Sequence, residues 1–357
     1  MLWARPLIAL LDGTVVCGNQ RLLAVLALGW ETVPALFVDL DRERARLWAL
    51  RDNAAYGEWD EPVLAELLAE LAGDGVELAL TGFASSDLDR ILAGLTAKTN
   101  PDDAPPLPVG EPESKLGEVY ELGPHRVMCG DATDPEQVLE LMAGDQAEAL
   151  WTDPPYGVSY VGRTPAALTI RNDDADGLPG LLRGAFAAAD GVLAPSARFY
   201  VASPAGPLGT EFRLAIRDVG WQLHQSLVWV KNAIVLGHSD YQYRHEDVLY
   251  GWTPGPGRPG RGRHKGSRWQ GGNDQASVFS VDRPVRNAVH PTAKPVQLIT
   301  AQLRNSTRRG DVVLDPFAGS GSTLIACEML GRRCRAMEID PAYVDVVRRR
   351  YREFVDG

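Results

Sequence analysis

The chain has 357 residues and a formal net charge of −11. That length holds two domains with sizeable cores, and the acidic balance argues against a protein that coats nucleic acid everywhere, while leaving room for a local basic patch that grips DNA. No uninterrupted apolar run approaches the ~20 residues of a membrane span, and the four cysteines are scattered without metal spacing. A cytoplasmic protein with reduced thiols, no membrane partner and no metal site is expected. Pro6 to Leu11 is too short for a signal-peptide core and reads as a strand.

Residues 1 to about 95 read as a first unit. Strand-like Pro6 to Leu11 meets a turn at Asp12-Gly13. Thr14 to Cys17 is a second strand, and Gly18-Asn-Gln-Arg21 opens a helix that runs to Leu28, with Gly29 suited to its end. Thr32 to Asp39 is another strand. Arg42 to Leu50 and Pro62 to Leu71 carry helical periodicity. Gly18 with Arg21 at a helix start suits a phosphate. No clear helix-turn-helix follows. Thr96 to Ser114 is rich in Pro, Asp and Glu and reads as a linker whose length permits motion between units.

The second unit, residues 115–357, begins with strands Gly117 to Leu122 and Arg126 to Cys129, the latter running into Gly130-Asp131. Pro135 to Met142 is a helix with Asp134 as its N-cap. Apolar Ala147 to Trp151 reads as a buried strand ending in Thr152-Asp153-Pro154-Pro155-Tyr156-Gly157. Two consecutive prolines can neither continue a strand nor enter a helix, so Asp153 and Tyr156 sit on a stiff corner. In an open α/β sheet that end of the strands binds ligands. Such a corner suits an exocyclic amino group on a nucleobase. That nitrogen is a poor nucleophile because its lone pair is delocalised into the ring. Asp153 and the Pro154 carbonyl would accept its two hydrogens and favour a tetrahedral nitrogen, while Tyr156 offers a face for stacking.

Val158 to Asp176 is a polar segment suited to a loop over the site. Gly180 to Leu193 and Glu211 to Val219 are helical, and strands are expected at Arg198 to Ala202, Gln222 to Val230 and Val248 to Gly251. Trp252 to Asn273 is Gly- and Pro-rich and basic, and Arg258 to Arg268 contains no acid. Its arginines suit phosphates and guanine edges, and Trp269 suits stacking or wedging. Val312 to Asp315 is a strand, Pro316 to Thr323 a Gly-rich turn, and Leu324 to Gly331 a helix. Gly319 and Gly321 would let the backbone approach a ligand closely. The spacing is neither the dinucleotide fingerprint nor a P-loop. Arg335 to Asp340 is the next strand, with Glu338 where such folds hold a ribose diol.

The Asp153-Pro-Pro-Tyr156 corner resembles the Asp-Pro-Pro-Tyr motif of amino-directed DNA methyltransferases, and Asp315 to Thr323 resembles their S-adenosylmethionine loop. The corner precedes the loop, as in the permuted β class of N6-adenine and N4-cytosine enzymes. RNA and protein N-methyltransferases generally carry the loop first. Cys129-Gly-Asp131, Phe199 to Ala202, Leu227 to Asn232, Tyr243 to Gly251 and His290-Pro-Thr-Ala-Lys-Pro295 fit further segments of the family. Separately, Asp12-Gly13, Gly18 to Arg21, Leu28 to Pro34 and Arg51 to Asn53 resemble a ParB/sulfiredoxin-like domain, here expected to be incomplete.

These resemblances imply an α/β fold. A Rossmann-like methyltransferase sheet with helices on both faces follows a small α+β ParB-like domain. They imply catalysis at Asp153, Pro154, Pro155 and Tyr156. They imply cofactor binding at Asp131, Thr292, Lys294, Asp315, Pro316, Phe317, Gly319, Gly321, Thr323 and Glu338. DNA contact is implied at Arg258, Arg261, Arg263, Lys265, Arg268 and Trp269, in a short target-recognition loop near 252–289. The cofactor is S-adenosyl-L-methionine and the partner double-stranded DNA, with a homodimer and a restriction partner left open. The corner favours adenine N6, with cytosine N4 as the alternative. A ParB-like regulatory DNA binder with a degenerate transferase is a second alternative.

Overall fold

A computed structural model describes residues 6–54, 61–73, 76, 78–83, 88, 100–158, 174–235, 240–255, 269–271, 275–282 and 293–356. The chain divides into two compact units, Met1–Lys98 and Thr99–Gly357.

In the first unit β1 (Leu7–Leu10), β2 (Val15–Cys17) and β3 (Ala35–Val38) form a sheet of order β2-β1-β3. β1 runs antiparallel to β2 and parallel to β3. The β1–β2 turn follows from Asp12, whose carboxylate accepts from Thr14 N at 2.9 Å, and from Gly13 at φ +89°. Helix α1 (Asn19–Ala27) supplies the crossover from β2 to β3, and α2 (Arg42–Ala54) and α3 (Glu61–Gly73) follow. Leu50, Leu64, Leu68 and Leu71 make a small core of their own. Arg21, read as half of a phosphate site, donates instead to the Pro6 carbonyl at 2.9 Å.

The second unit is built on a nine-stranded sheet. Its strands are β4 (Val119–Leu122), β5 (His125–Cys129), β6 (Ala147–Thr152), β7 (Leu193–Ser203), β8 (Gln222–Val235), β9 (Tyr243–Trp252), β10 (Val278–Ser280), β11 (Val312–Asp315) and β12 (Arg333–Glu338). Their order is β10-β8-β9-β7-β6-β11-β12-β5-β4. From β5 through β12, β11 and β6 to β7 every pairing is parallel. Of these, β6, β7 and β11 are mostly apolar, as suits strands covered on both faces.

One face packs α4 (Pro135–Met142), α5 (Leu178–Asp190) and α6 (Gly209–Asp218) around Leu141, Phe186, Phe199 and Phe212. The other packs α7 (Val296–Ser306), α8 (Ser322–Leu330) and α9 (Pro341–Asp356) around Trp151, Ile299, Ile325 and Val347. This is the Rossmann-like methyltransferase sheet expected, with helices on both faces. Asp134 caps α4 as expected, accepting from Glu136 N and Gln137 N.

Residues 100–114, read as linker, lie within the second unit and are tied to it. Asp102 accepts from Val296 N at 2.7 Å at the start of α7. Asp345 accepts from the Ser114 hydroxyl at 2.6 Å, and Arg350 donates to the Pro101 carbonyl at 2.6 Å. Among the described residues, no helix is long and apolar enough to cross a membrane.

Candidate active site

The sheet has a switch point between β6 and β11. Each of these parallel neighbours is followed by a crossover that leads away to opposite sides, so their carboxyl ends open a crevice. The Asp153 corner leaves β6 there and the Gly-rich turn leaves β11. A hydrogen bond joins the two directly, from the Thr152 hydroxyl to Asp315 Oδ1 at 2.9 Å.

At the corner, Lys294 Nζ lies 2.7 Å from both carboxylate oxygens of Asp153. It also lies 3.2 Å from Glu246 Oε2. Glu246 in turn pairs with Lys231 and accepts from the Tyr156 hydroxyl at 2.8 Å. The Lys294 side chain is only 4 % exposed, whereas Asp153 keeps 23 % of its own surface. The Tyr156 ring is edge-on to Phe212, with centroids 5.9 Å apart, and Lys294 Nζ is 5.0 Å from its centroid. Pro154 is buried, and Pro155 and Tyr156 are half-buried.

The electrostatics follow from these contacts. Burial raises the Asp153 carboxyl above its ordinary value; Lys294 opposes that rise and Glu246 adds to it. Burial also pushes Glu246 up, but Lys294 and Lys231 overcome it and bring Glu246 down to about 2. Burial lowers Lys294, and its two carboxylates more than reverse this. Burial, with both carboxylates nearby, drives the Tyr156 phenol well above its ordinary value. The phenol therefore stays neutral and donates.

The second half of the crevice is the turn after β11. Asp315 is buried and accepts from Thr152 and from Phe317 N at 3.1 Å. Gly321, at φ +85°, caps α8 in the left-handed region, and a Cβ there would stand 3.1 Å from Val347. Thr323 is buried, and its hydroxyl favours the ionised form of Asp315. Pro316 is buried, and half-buried Phe317 packs on the first core. Arg350 steadies the turn from α9, donating to the Ser320 carbonyl at 2.9 Å. Glu338 at the end of β12 accepts from Gly319 N at 2.9 Å and from Asp340 N at 3.0 Å. Burial raises Asp315 to about 6 and Glu338 to about 7.

Asp131, beyond the end of β5, accepts from Thr133 N and Oγ1 at 2.9 and 2.8 Å through one oxygen. Thr292, Arg258, Arg261, Arg263, Lys265 and Arg268 lie outside the described residues, as does His290. Trp269 is half-buried and packs on the second core, 6.2 Å from the Tyr250 ring centroid. Sequence reasoning missed Glu246 and Lys231. Each is a charge at one end of an otherwise apolar strand stretch, Lys231 after Leu227 to Val230 and Glu246 before Val248 to Tyr250. That placement was the available signal.

Comparison with known proteins agrees with this geometry. The N6/N4 DNA methylase family model matches residues 148–349, more than half of the chain, which therefore belongs to that family. The family uses S-adenosylmethionine as methyl donor. A ParB-methyltransferase helix-turn-helix model matches residues 62–116, where no such motif was expected. The glycines at 73, 75 and 82 interrupt the helical period there and hide it.

The Type II methyltransferase M.XycI of Xanthomonas campestris pv. cyanopsidis is 31 % identical over 153 residues, 40 % of this chain and 49 % of that protein. M.Cfr9I of Citrobacter freundii is 29 % identical over 155 residues, with the same coverage. The chain thus spans about half the length of the curated relatives it matches. A crystal structure of the M1.HpyAVI–SAM complex superposes with a TM-score of 0.48 at 20 % identity, covering 63 % of this chain and 97 % of that one.

Proposed function

We propose that the protein is a site-specific DNA methyltransferase that modifies the exocyclic N6 of adenine in duplex DNA. The observation that carries this is the juxtaposition at the switch point. A carboxylate corner that suits an amino group is hydrogen-bonded, through Thr152 and Asp315, to a cradle that suits a nucleoside.

The cradle fits S-adenosylmethionine. Glu338 is a desolvated carboxylate that takes only two backbone donors from the described residues, so it has acceptor capacity for a ribose diol. Gly319 and Gly321 keep the turn free of side chains. Asp315 would hold the cationic methionine end. When bound, S-adenosylmethionine supplies an electrophilic methyl on a sulfonium.

The remaining work falls to the chain. A duplex hides the amino nitrogen in its stack, so the target base must flip out. Tyr156 then offers an aromatic surface beside the corner. Asp153 and the Pro154 carbonyl accept the two amino hydrogens and favour a nucleophilic nitrogen, and Asp153 takes the proton the nitrogen sheds. The contribution is proximity and electrostatics, without a covalent intermediate. The basic stretch Arg258, Arg261, Arg263, Lys265 and Arg268 supplies phosphate and base contacts, and the helix-turn-helix region at 62–116 adds DNA-positioning capacity.

Methyl transfer from labelled S-adenosylmethionine to unmethylated duplex DNA, followed by nucleoside analysis, tests the proposal. Label in N6-methyldeoxyadenosine is expected. Label in N4-methyldeoxycytidine would retain the mechanism and change the base. Absence of label in DNA despite bound cofactor would overturn the proposal.

A further inference from the structure

The corner does not stand alone, and the group that tunes it lies one residue further back. Asp153, Lys294, Glu246 and Lys231 form an alternating chain of two carboxylates and two ammonium groups, drawn from the end of β6, the segment before α7, β9 and β8. Its formal charge sums to zero. Lys294 is shared, at 2.7 Å from Asp153 and 3.2 Å from Glu246. Lys231 contacts Glu246 rather than Asp153. A buried charge that loses its partner must find another or neutralise.

We propose that Lys231 and Glu246 are positioning residues for the methyl-transfer site, and that together they set how far Lys294 is committed to Asp153. The proposal rests on the amino-methyltransferase reading above. Lys231 engages one oxygen of Glu246, which leaves Lys294 free to sit squarely across both oxygens of Asp153. Held this way, Asp153 is drawn toward its ionised form by Lys294 while part of its surface remains open. Each carboxylate oxygen has two acceptor sites, so Lys294 can occupy one side while the target amino group approaches the other. Glu246 also fixes the Tyr156 hydroxyl, so the same chain sets the ring beside the corner. Lys294, expected from its motif to bind cofactor, is placed by this geometry on the catalytic carboxylate.

The chain gives two substitutions with opposite signs. Lys231→Met leaves a net negative cluster. Glu246 then draws Lys294 toward itself, and the Asp153 carboxyl becomes easier to protonate. Glu246→Gln leaves a net positive cluster, and Lys294 belongs to Asp153 alone. Among the described residues, the charged and titratable groups acting on Asp153 are Lys294, Glu246, Tyr156 and Asp315. Those acting on Glu246 are Lys294, Lys231, Tyr156 and, reciprocally, Asp153. The two substitutions leave Asp315 in place, so its effect is common to both.

The experiment measures the single-turnover methylation rate of the full chain between pH 5 and 9, together with the dissociation constant for S-adenosylmethionine. In Lys231→Met the acid limb should move up by about one pH unit, the scale of removing a nearby counter-charge. On the acid side of that limb the rate should fall by up to about tenfold, and it should recover at higher pH. In Glu246→Gln the limb should move down. Lys231→Arg should keep the wild-type profile, and at each pH the cofactor affinity of every variant should stay within about twofold of wild type.

A uniform loss across the pH range, or limbs that move the same way in both variants, would overturn the proposal. So would a loss confined to cofactor affinity. The Asp153 carboxyl can also be titrated directly in the free protein by carbon NMR with labelled aspartate, its signal assigned by Asp153→Asn. That readout needs no substrate. If the wild-type protein does not methylate DNA, the functional reading fails, while opposite NMR shifts in the two variants still support the charge chain and unmoved signals refute it.

Discussion

Two sets of carboxylates lie at neighbouring strand ends, and they are partnered differently. At the corner, Asp153 and Glu246 have lysines on them, and Glu246 is held at about 2. In the cradle, Asp315 and Glu338 receive only hydroxyl and backbone N–H donors among the described residues, and burial lifts them to about 6 and 7. The corner carries its own counter-charges, Lys294 on Asp153 and Lys231 on Glu246. The cradle leaves compensation to whatever binds it. A cationic ligand with a diol would supply what that cradle lacks. On the proposed reading, one region serves the reaction and the other serves capture.

The largest effect that separates them is expected from Asp153→Ala. Turnover should fall by at least about 10²-fold, the low end for loss of a positioned proton acceptor. Cofactor affinity should remain within about twofold by calorimetry. A parallel collapse of cofactor binding would break the division between the two regions.

The mirror-image change is Glu338→Gln. It should weaken S-adenosylmethionine about tenfold or more, as expected for losing hydrogen bonds to a charged acceptor. The rate at saturating cofactor should change far less.

Glu246 also differs in sign with pH from the cradle acids, whereas Asp153 is raised as they are. Glu338 and Asp315 have raised values when folded, so between about 4.5 and 7 the folded state holds protons that the unfolded chain has released. Their contribution to stability therefore declines as pH rises through that window. Glu246 is depressed, so its contribution is present above about 4.5 and is lost as pH falls toward about 2. Cofactor binding favours the ionised cradle. Affinity should rise between pH 6 and 8 with release of protons, read by calorimetry in buffers of different ionisation enthalpy. Binding without proton release would contradict this account of the cradle.

The smallest expected effect is Gly321→Ala. The left-handed backbone and the nearby Val347 side chain should cost about 1–2 kcal/mol, visible as a lowered melting temperature with reduced cofactor affinity.

Much of this architecture was legible in the chain. The Pro154-Pro155 corner and the Gly319 to Gly321 turn announce themselves because only those residue types meet such backbone demands. Asp134 and Gly331 mark helix ends for the same local reason, and Gly331 does cap α8 at φ +65°. Helix α7 and helix α9 were not read, since buried polar groups such as Gln302, Asn305 and Arg350 blur their periodicity. The charge chain was illegible for another reason. Lys231, Glu246 and Lys294 are separated by up to 63 positions and become neighbours only through strand order. Residues 100–114 have linker composition, yet Asp102 and Ser114 are tied to α7 and α9 by hydrogen bonds that composition does not reveal.

The most direct test of the central claim is long-read sequencing of plasmid DNA from cells expressing the full chain or its Asp153→Ala variant. The account predicts modified adenines at one recurring sequence with the wild-type chain and none with the variant. Unmodified DNA from folded, cofactor-binding wild-type protein, or equal modification by the variant, would contradict it.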